Sequence, residues 1–389
     1  MKGGNQDALP LSGVRVVDFT QVMLGPCCTQ MLADYGADVI KIEKQKIGDL
    51  SRWSLGEDVD GLNNPIFSSL NRNKRSMSLD LKSEDDRAIV LRLIETADVV
   101  VNNFRPGVME RMGFGFADLQ KINPCLIYAV GTGFGLDGPN RHKGGQDVLA
   151  QALSGAMHRR ADQALPLSIY PTALADYAAG MHLVQGILFA LLHRQKTGKG
   201  QQVAVSLFSS MLAMQMQEAA VRMMRQKDLN WAAFPLSGVF ETTDGAIVMV
   251  GAFKENPLRD ICAALEIEDL SKQQRFSTHD LQVAARPELQ AVFRENYAKN
   301  TTAHWIERLE QVDILCAPVK TLEEALADPQ TTVNRMIVEA TSSSGSPLKL
   351  IGSPIDMSDA PFAIHRPPPQ LGEHREEILA ELGAASDAA

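Results

Sequence analysis

The sequence predicts an α/β protein with a parallel sheet in a large domain and a smaller α+β domain. In the N-terminal half, short β-branched runs alternate with segments of helical periodicity, which is typical of parallel sheets covered by helices. Further along, a hairpin pattern is followed by three helical segments. The chain has 389 residues, of which 45% are hydrophobic, and this is enough for two domains.

The regular structure begins with a strand–helix–strand unit. Residues 14–19 (VRVVDF) and 38–43 (DVIKIE) are predicted to be buried strands, and the segment CCTQMLADYG between them is predicted to be a helix closed by Gly36. In parallel sheets, ligands bind beyond the carboxyl ends of the strands, which are here residues 20–26 and 43–49. No GxGxxG motif follows the first strand, so the sequence does not indicate an NAD or FAD site.

Basic side chains cluster near the ends of the next predicted strands. Three of them precede a strand at 76–81, namely Arg72, Lys74 and Arg75. The strand at 97–101 leads into a loop with Asn103, Phe104 and Arg105. Basic groups at strand ends suit phosphates, and Phe104 can pack against a flat ring. The alternative is that Lys74, Arg75, Lys82 and Arg111 are solvated surface charges. The strand at 126–130 is followed by GTGFGLDGPN, which lacks the GK[ST] of a P-loop.

The most informative acid is Asp176, which stands just before an apolar run. Met181, Val184 and Leu188 recur in that run at helical spacing, so a helix is predicted to start near Asp176 with this residue as its N-cap. The helix dipole would then favour the ionised carboxylate. An ionised carboxylate held in place can attack an activated carbonyl. The alternative interpretation is that Asp176 only caps the helix.

The second half of the chain predicts the smaller domain and a return to the larger one. A hairpin is predicted at 239–250, helices at 257–265, 286–296 and 303–311, and a last helix at 372–382 that packs on the large domain. A long helix ending near Arg225 carries five methionines expected in the core, Met211, Met214, Met216, Met223 and Met224. The predicted domains are 1–225 (large, N-terminal part), 226–329 (small) and 330–389 (linker and return to the large domain).

Composition excludes several classes of function. The net charge of −9 disfavours nucleic acid as a partner. The five cysteines form no CxxC motif, so neither a metal site nor a disulfide framework is expected, and a reducing cytoplasm fits. The N-terminus lacks the apolar core of a signal peptide. No run is expected to span a membrane, because the apolar residues 187–192 are short and end at His193 and Arg194.

Several motifs, taken together and in order, resemble the family III CoA-transferases. They are LSGVRVVDFT with Gly25-Pro26, GADVIKIE with Gly48-Asp49, NKRSMSLDLK, NFRPG, ERMGF, NPCLIYAVGTGFG, LADYAAGMH, TGKGQQVAVSL and LGEHREEIL. This family includes formyl-CoA transferase, carnitine CoA-transferase and α-methylacyl-CoA racemase. The likeness covers nearly the whole chain. It implies a Rossmann-like large domain built from both termini, a small domain between them, and a homodimer of two interlocked chains.

The resemblance also implies site residues. Asp176 matches the nucleophilic aspartate. The positions that match the family's CoA contacts are Val22, Met23, Leu24, Lys44, Leu79, Lys82, Asn103, Phe104, Arg105, Arg111 and Lys143. On the substrate side, Asp147 matches an acid that lies near the nucleophile, Gln21 stands where formyl-CoA transferase has His, and Gln146 stands where the racemase has its catalytic His. Met23 replaces a Gln of formyl-CoA transferase, and residues 228–234 (DLNWAAF) lack that enzyme's glycine loop.

The expected function is therefore transfer of CoA between an acyl-CoA thioester and a small carboxylic acid through an aspartyl-CoA thioester. Backbone N–H groups near the start of the Asp176 helix are expected to stabilise the oxyanion. No metal and no cofactor other than CoA itself, as substrate, is expected. Two alternatives remain at this point. One is an acyl-CoA racemase, disfavoured because Gln146 cannot exchange a proton at neutral pH. The other is a catalytically silent CoA-binding protein.

Overall fold

The computed structural model describes residues 9–54, 56, 64–162 and 164–387. The chain divides into two compact units. The large unit comprises Met1–Met157, Ile169–Met216 and Pro329–Ala389, and the small unit comprises His158–Ser168 and Gln217–Asp328. These bounds differ from the predicted 1–225, 226–329 and 330–389. Segment 158–168 joins the small unit because Arg159 contacts Glu218 and Leu229, which lie far along the chain.

The large unit is built on a six-stranded parallel sheet. Its strands are β1 Arg15–Asp18, β2 Asp38–Lys44, β3 Lys74–Leu79, β4 Val99–Asn102, β5 Ile127–Thr132 and β6 Gln201–Ser206. Their order is β3-β2-β1-β4-β5-β6. The chain moves outward from β1 to β3 and then returns to the other side of β1 at β4. In doubly wound sheets, this reversal opens a crevice at the carboxyl ends of the strands. The predicted α/β class with a parallel sheet is confirmed.

Helices cover both faces of this sheet. Those before the small unit are α1 Leu24–Asp34, α2 Pro65–Leu70, α3 Glu84–Glu95, α4 Val108–Arg111, α5 Phe116–Ile122, α6 Asp147–Leu153, α7 Leu174–Thr197 and α8 Leu207–Met214. On one face, α1 and α7 bury Leu32 and Leu183 against Val16. On the other face, α3 buries Val90 against Val17. The β-branched strand residues are buried on both faces, as parallel sheets require.

The small unit contains an antiparallel sheet and a helical layer. After α9 Met216–Arg225, the elements in chain order are β7 Ser237–Glu241, β8 Ala246–Val250, α10 Pro257–Ala264, α11 His279–Ala284, α12 Arg286–Tyr297, α13 Thr302–Gln311, β9 Leu315–Pro318 and α14 Leu322–Leu326. The β7–β8 pair confirms the predicted hairpin. Its core includes Phe240, which stacks on Tyr297 with ring centroids 4.9 Å apart.

The C-terminal segment returns to the large unit. It forms α15 Pro329–Val333, the hairpin β10 Ile337–Thr341 and β11 Pro347–Ile351, and α16 Arg375–Asp387. Helix α16 buries Ile378 and Leu382 in the same core as β3 and α3. Its Glu381 accepts a 2.7 Å hydrogen bond from Arg75. The prediction that the last helix packs on the large domain is thus confirmed.

The three cations that precede or begin β3 are buried. Their partners are acids from the first helix and the first two strands: Arg72 pairs with Asp34 at 2.7 Å, Lys74 with Asp18 at 3.3 Å and Arg75 with Asp38 at 2.7 Å. The two interpretations made from sequence, a phosphate site or solvated charges, are both wrong for these residues. A buried cation is retained where an acid neutralises it, and sequence spacing does not reveal such a distant partner.

The methionine-rich stretch also differs from its prediction. It forms two helices, α8 and α9, rather than one. Met211 is buried, whereas Met214, Met216, Met223 and Met224 are exposed in the single chain. Helix α9 has no buried residue, so its methionines are not part of either unit's core.

Helix α7 corrects the expectation that no run could cross a membrane. The part of the chain that the structure describes contains one helix long and apolar enough by length and composition, and it is α7. In the large unit this helix lies against α1, β5 and β6, and it buries Ala175, Leu183 and Ile187.

Candidate active site

A cleft of about 250 Å³ lies at the carboxyl ends of β4 and β5, beside the start of α1. Its position is next to the reversal between β1 and β4, where ligands bind in sheets of this order. Six residues predicted from the sequence line it, namely Leu24, Asn103, Phe104, Arg105, Lys143 and Asp176. The cleft therefore brings together predicted residues that lie far apart in the sequence, from Leu24 to Asp176.

The loop after β4 supplies one wall and a cation. Asn103 receives a 2.9 Å hydrogen bond at Oδ1 from the Gln21 backbone N–H and donates 2.8 Å from Nδ2 to the Gln21 carbonyl. This pair ties the β1 and β4 loops together. The neighbouring Arg105 is exposed, as is Lys143 across the cleft. Two solvated cations in one cleft are suited to anionic phosphate groups.

Four glycines also line the cleft, namely Gly131, Gly133, Gly144 and Gly145, and the sequence analysis did not select them. A Cβ built on Gly133 would lie 2.5 Å from Cα of Gly145, and one on Gly144 would lie 2.6 Å from Nη2 of Arg105. A Cβ on Gly131 would lie 2.3 Å from Cδ2 of Leu24. Any side chain at these positions would have to displace its neighbours. The sequence signal for these glycines is the run GTGFG together with the Gly144-Gly145 pair. Because this signal does not match the P-loop pattern, it did not predict a ligand site.

Asp176 lies in the first turn of α7 but does not cap it. The helix begins at Leu174, its N-cap is Ala173, and no side chain of the N-cap residue bonds to it. The carboxylate of Asp147 takes that role, since its Oδ2 accepts from the N–H groups of Ala175 at 2.6 Å and Asp176 at 3.0 Å. The predicted N-cap role of Asp176 is therefore wrong. An acid from α6 satisfies the helix start and leaves the Asp176 side chain in the cleft.

Burial, rather than the helix dipole, dominates the ionisation of Asp176. Desolvation and, to a smaller extent, the negative charge of Asp147 raise its pKa, a hydrogen bond from the Leu24 backbone lowers it, and the net result is a rise from 3.8 to about 6. The expectation that the helix dipole favours the ionised carboxylate is therefore wrong in direction, because the net shift of the pKa is upward. A carboxylate with a raised pKa is a stronger base and a better nucleophile, and is still ionised at neutral pH.

The Leu24 amide is held at this carboxylate by close packing of α1 on α7. A Cβ on Gly180 would lie 2.7 Å from Sγ of Cys27 and 2.8 Å from the Leu24 carbonyl oxygen. Only glycine at this position lets the two helices approach so closely. Gly180 is therefore the position on α7 that permits the close approach of α1.

The other predicted ligand contacts do not line the cleft. Leu79 is buried in the core of the sheet, and Met23 is the half-buried N-cap of α1. Four are exposed, namely Val22, Lys44, Lys82 and Arg111. Arg111 borders the cleft loop, because a Cβ on Gly107 would lie 3.0 Å from its Nη1.

The substrate-side predictions fall at the edges of the same region. Gln21 joins the cleft wall through Asn103, and Gln146 is exposed at the N-cap of α6. Asp147, the next residue, is buried. Among the described residues, no group of three or more His, Cys, Asp or Glu side chains is placed to hold a metal ion.

The strand order and the cleft define a doubly wound α/β protein with a carboxylate of raised pKa and two cations at its ligand-binding edge. Comparison with known proteins gives the family. Residues 11–375 match the profile of CoA-transferase family III, and the chain belongs to this family. It is a CoA-transferase, an enzyme that moves CoA between an acyl-CoA and a carboxylic acid.

Individual relatives span most of the chain. The succinyl-CoA:glutarate CoA-transferase of Mus musculus is 33% identical, over 96% of this chain and 86% of the relative. The formyl-CoA:oxalate CoA-transferase of Escherichia coli O157:H7 (strain EC4115 / EHEC) is 33% identical over 97% of each chain. Among solved structures, a CaiB/BaiF family protein from Brucella suis superposes with a TM-score of 0.85 at 32% identity, over 96% of this chain and 99% of the other. Relatives that transfer CoA favour the transferase interpretation over the racemase alternative.

Proposed function

We propose that this enzyme transfers CoA through a covalent aspartyl-CoA thioester formed on Asp176. The observation that carries the proposal is the carboxylate itself. It lies in the cleft, its pKa is raised to about 6 by burial and by Asp147, and its helix start is already satisfied by Asp147. Asp176 is therefore free of the capping role that was the alternative explanation for an acid at this position.

The exchange proceeds in four steps. The Asp176 carboxylate attacks the thioester carbonyl of the donor, the C–S bond breaks, and CoA leaves as the thiolate with a mixed anhydride on the enzyme. The thiolate then attacks the aspartyl carbonyl, which releases the donor acid and leaves the aspartyl-CoA thioester. The acceptor carboxylate attacks this thioester and forms a second mixed anhydride. Thiolate attack on the acceptor's acyl carbon gives the new acyl-CoA and restores Asp176.

The hydrogen bonds at the start of α7 limit which backbone N–H groups can stabilise the oxyanions of these steps. The N–H groups of Ala175 and Asp176 both donate to Asp147, so the expectation that helix-start amides serve the oxyanion does not hold for these two. The Leu24 backbone amide bonds to the Asp176 side chain itself, so we propose it as the donor to the oxyanion that forms on the aspartyl carbonyl when the thiolate or the acceptor acid attacks that carbonyl. A backbone amide held in place can stabilise developing charge without reorganisation.

We assign binding of the CoA phosphates to the exposed cations around the cleft. Arg105 and Lys143 line it, and Arg111 borders its loop. The remaining contacts implied by the resemblance, including Lys44 and Lys82, would touch CoA outside the cleft. CoA is the substrate, and the proposal requires neither a metal nor a further cofactor.

The acids exchanged are proposed to be small carboxylates, with dicarboxylates first to be tested. The mouse relative is named for succinate and glutarate, and the Escherichia coli relative for formate and oxalate. Gln21, Met23 and the glycine-free segment 228–234 depart from the formyl-CoA transferase pattern. These departures favour succinyl-CoA with glutarate over formyl-CoA with oxalate.

We further propose that the enzyme is a homodimer in the cytoplasm. Exposed apolar side chains support a partner surface: Phe189 of α7 is 68% exposed, and Met223 and Met224 of α9 are 77% and 80% exposed. Isolated soluble chains rarely leave such side chains uncovered in groups. All five cysteines are free thiols, which fits a reducing compartment.

The decisive experiment traps the intermediate. Donor acyl-CoAs are screened against a panel of carboxylates, and the enzyme with its fastest donor is then treated with hydroxylamine. Peptide mass spectrometry should find the hydroxamate on Asp176 and on no other acid, and Asp176→Asn should abolish both adduct and turnover. Transfer at the parental rate by Asp176→Asn would overturn the proposal, as would an adduct on a different residue.

A further inference from the structure

The backbone that leads into α1 is held at successive polar groups by side chains from other strands. The Thr20 carbonyl accepts a 2.7 Å hydrogen bond from Nζ of Lys41, and the Val22 N–H donates 3.0 Å to Oδ1 of Asp49. Both backbone groups of Gln21, between them, are bonded to the Asn103 side chain at 2.9 and 2.8 Å. Side chains from β2, its following loop and the loop after β4 thus bind backbone groups of all three residues.

Lys41 and Asp49 act as one unit. Their side chains are fully buried and form an ion pair at 2.8 Å. Burial alone would raise the pKa of Asp49, but the Lys41 charge and the hydrogen bonds to this carboxylate lower it to about 2. Lys41 binds the residue before Gln21, and Asp49 binds the residue after it. The ion pair therefore closes a clamp on residues 20–22 from the β2 side, opposite to Asn103.

The clamp holds Val22 in an unfavourable conformation. Its φ is +69°, a region that a β-branched residue rarely adopts because of steric conflict. A residue in this conformation lowers the equilibrium constant for folding by a factor of about 5 to 150. The conformation persists only where the surrounding structure enforces it. Since the Val22 side chain is 46% exposed, its own packing does not explain the conformation. The backbone hydrogen bonds do.

We propose that the Lys41–Asp49 pair is a positioning device for the reaction. It enforces the left-handed turn at Val22, and this turn directs the chain so that α1 starts at Leu24, which lines the cleft together with Asp176. Lys41 and Asp49 touch neither CoA nor the reacting carbonyl, so they act through Leu24. The inference rests on the proposed role of Asp176, and the test below separates the two.

The test uses glycine, which adopts a left-handed turn without strain. Asp49→Asn removes the charge that holds the turn. The kcat for the fastest pair of donor acyl-CoA and acceptor acid should therefore fall about tenfold or more, as for loss of a transition-state contact. Adding Val22→Gly to Asp49→Asn should restore kcat at least about threefold, since glycine no longer needs enforcement. KM for acyl-CoA is recorded separately, because Val22 is itself a predicted CoA contact.

Thermal unfolding gives a second readout that does not need activity. Val22→Gly alone should keep or raise the melting midpoint, because it removes strain. The matched control is Val319→Gly, at a half-exposed valine of the small unit that has no positive φ, and it should lower the midpoint. If Asp49→Asn does not fold, this pair of variants decides the strain argument.

The outcomes are distinct for the two proposals. A double variant no faster than Asp49→Asn, or a midpoint lowered as much by Val22→Gly as by Val319→Gly, overturns the clamp. In that case the parent still gives the Asp176 hydroxamate. An absent hydroxamate in the parent overturns the role of Asp176 and removes the catalytic purpose of the clamp, even where the melting midpoints show the strain.

Discussion

Replacing Asp176 by Asn should stabilise the protein while it destroys activity. Burial and the Asp147 charge raise the pKa of Asp176 from 3.8 to about 6, so the ionised carboxylate is disfavoured in the folded chain relative to the unfolded chain. This difference corresponds to ~3 kcal/mol at most, and partial solvent access reduces the expected gain to ~1–3 kcal/mol. Asn is nearly isosteric and carries no charge to desolvate.

The sign of the pH dependence follows from the raised pKa. Below 3.8 the carboxyl group is protonated in both states, so it carries no penalty, and parent and variant should be equally stable. As pH rises through about 6, the folded parent must ionise the buried group and loses stability that the variant keeps. The advantage of Asp176→Asn should therefore be full at pH 8 and fade towards pH 4.

Urea unfolding of both proteins at pH 4.5, 6 and 8 measures this difference directly. Asp359→Asn, at an exposed position of the large unit, serves as the control for removing one negative charge from an acidic chain. CoA transfer is assayed on the same preparations. If Asp176→Asn is less stable than the parent at pH 8, or if the difference does not vary with pH, the argument from burial is refuted.

Three further predictions concern the walls of the cleft. Asp147→Asn should lower the pKa of Asp176, and the acidic limb of kcat/KM against pH should move to lower pH; an unmoved limb would count against the charge coupling. Gly133→Ala should cost ~1–3 kcal/mol of stability in urea, because its Cβ meets backbone, whereas Gly245→Ala meets only ordinary contact and should cost less; equal losses would contradict the close approach. Arg105→Ala should weaken CoA binding in calorimetry by ~1–3 kcal/mol through loss of a charged hydrogen bond, and unchanged affinity would remove Arg105 from the site.

Local patterns in the sequence determine much of the large unit. The strands at Val16, Val39 and Val99 are short β-branched runs bounded by turns, so their type and order along the chain follow from local pattern. The motifs around Asp176 also indicate the family. The resemblance to that family then predicts residues of the cleft such as Phe104 and Arg105. These are properties of neighbouring residues, and neighbours in sequence remain neighbours after folding.

Only the tertiary structure decides what distant residues do to one another. Asp147 takes the capping role from Asp176, Asp18 draws Lys74 into the core, and Asp49 enforces the turn at Val22. Each outcome depends on two groups that meet across the sheet and on the loss of water around them. The desolvation and the pairing of a charged group depend on which residues lie near it in space. A single sequence does not contain these distances. The fold therefore decides the ionisation, the burial and the backbone strain of residues at this site.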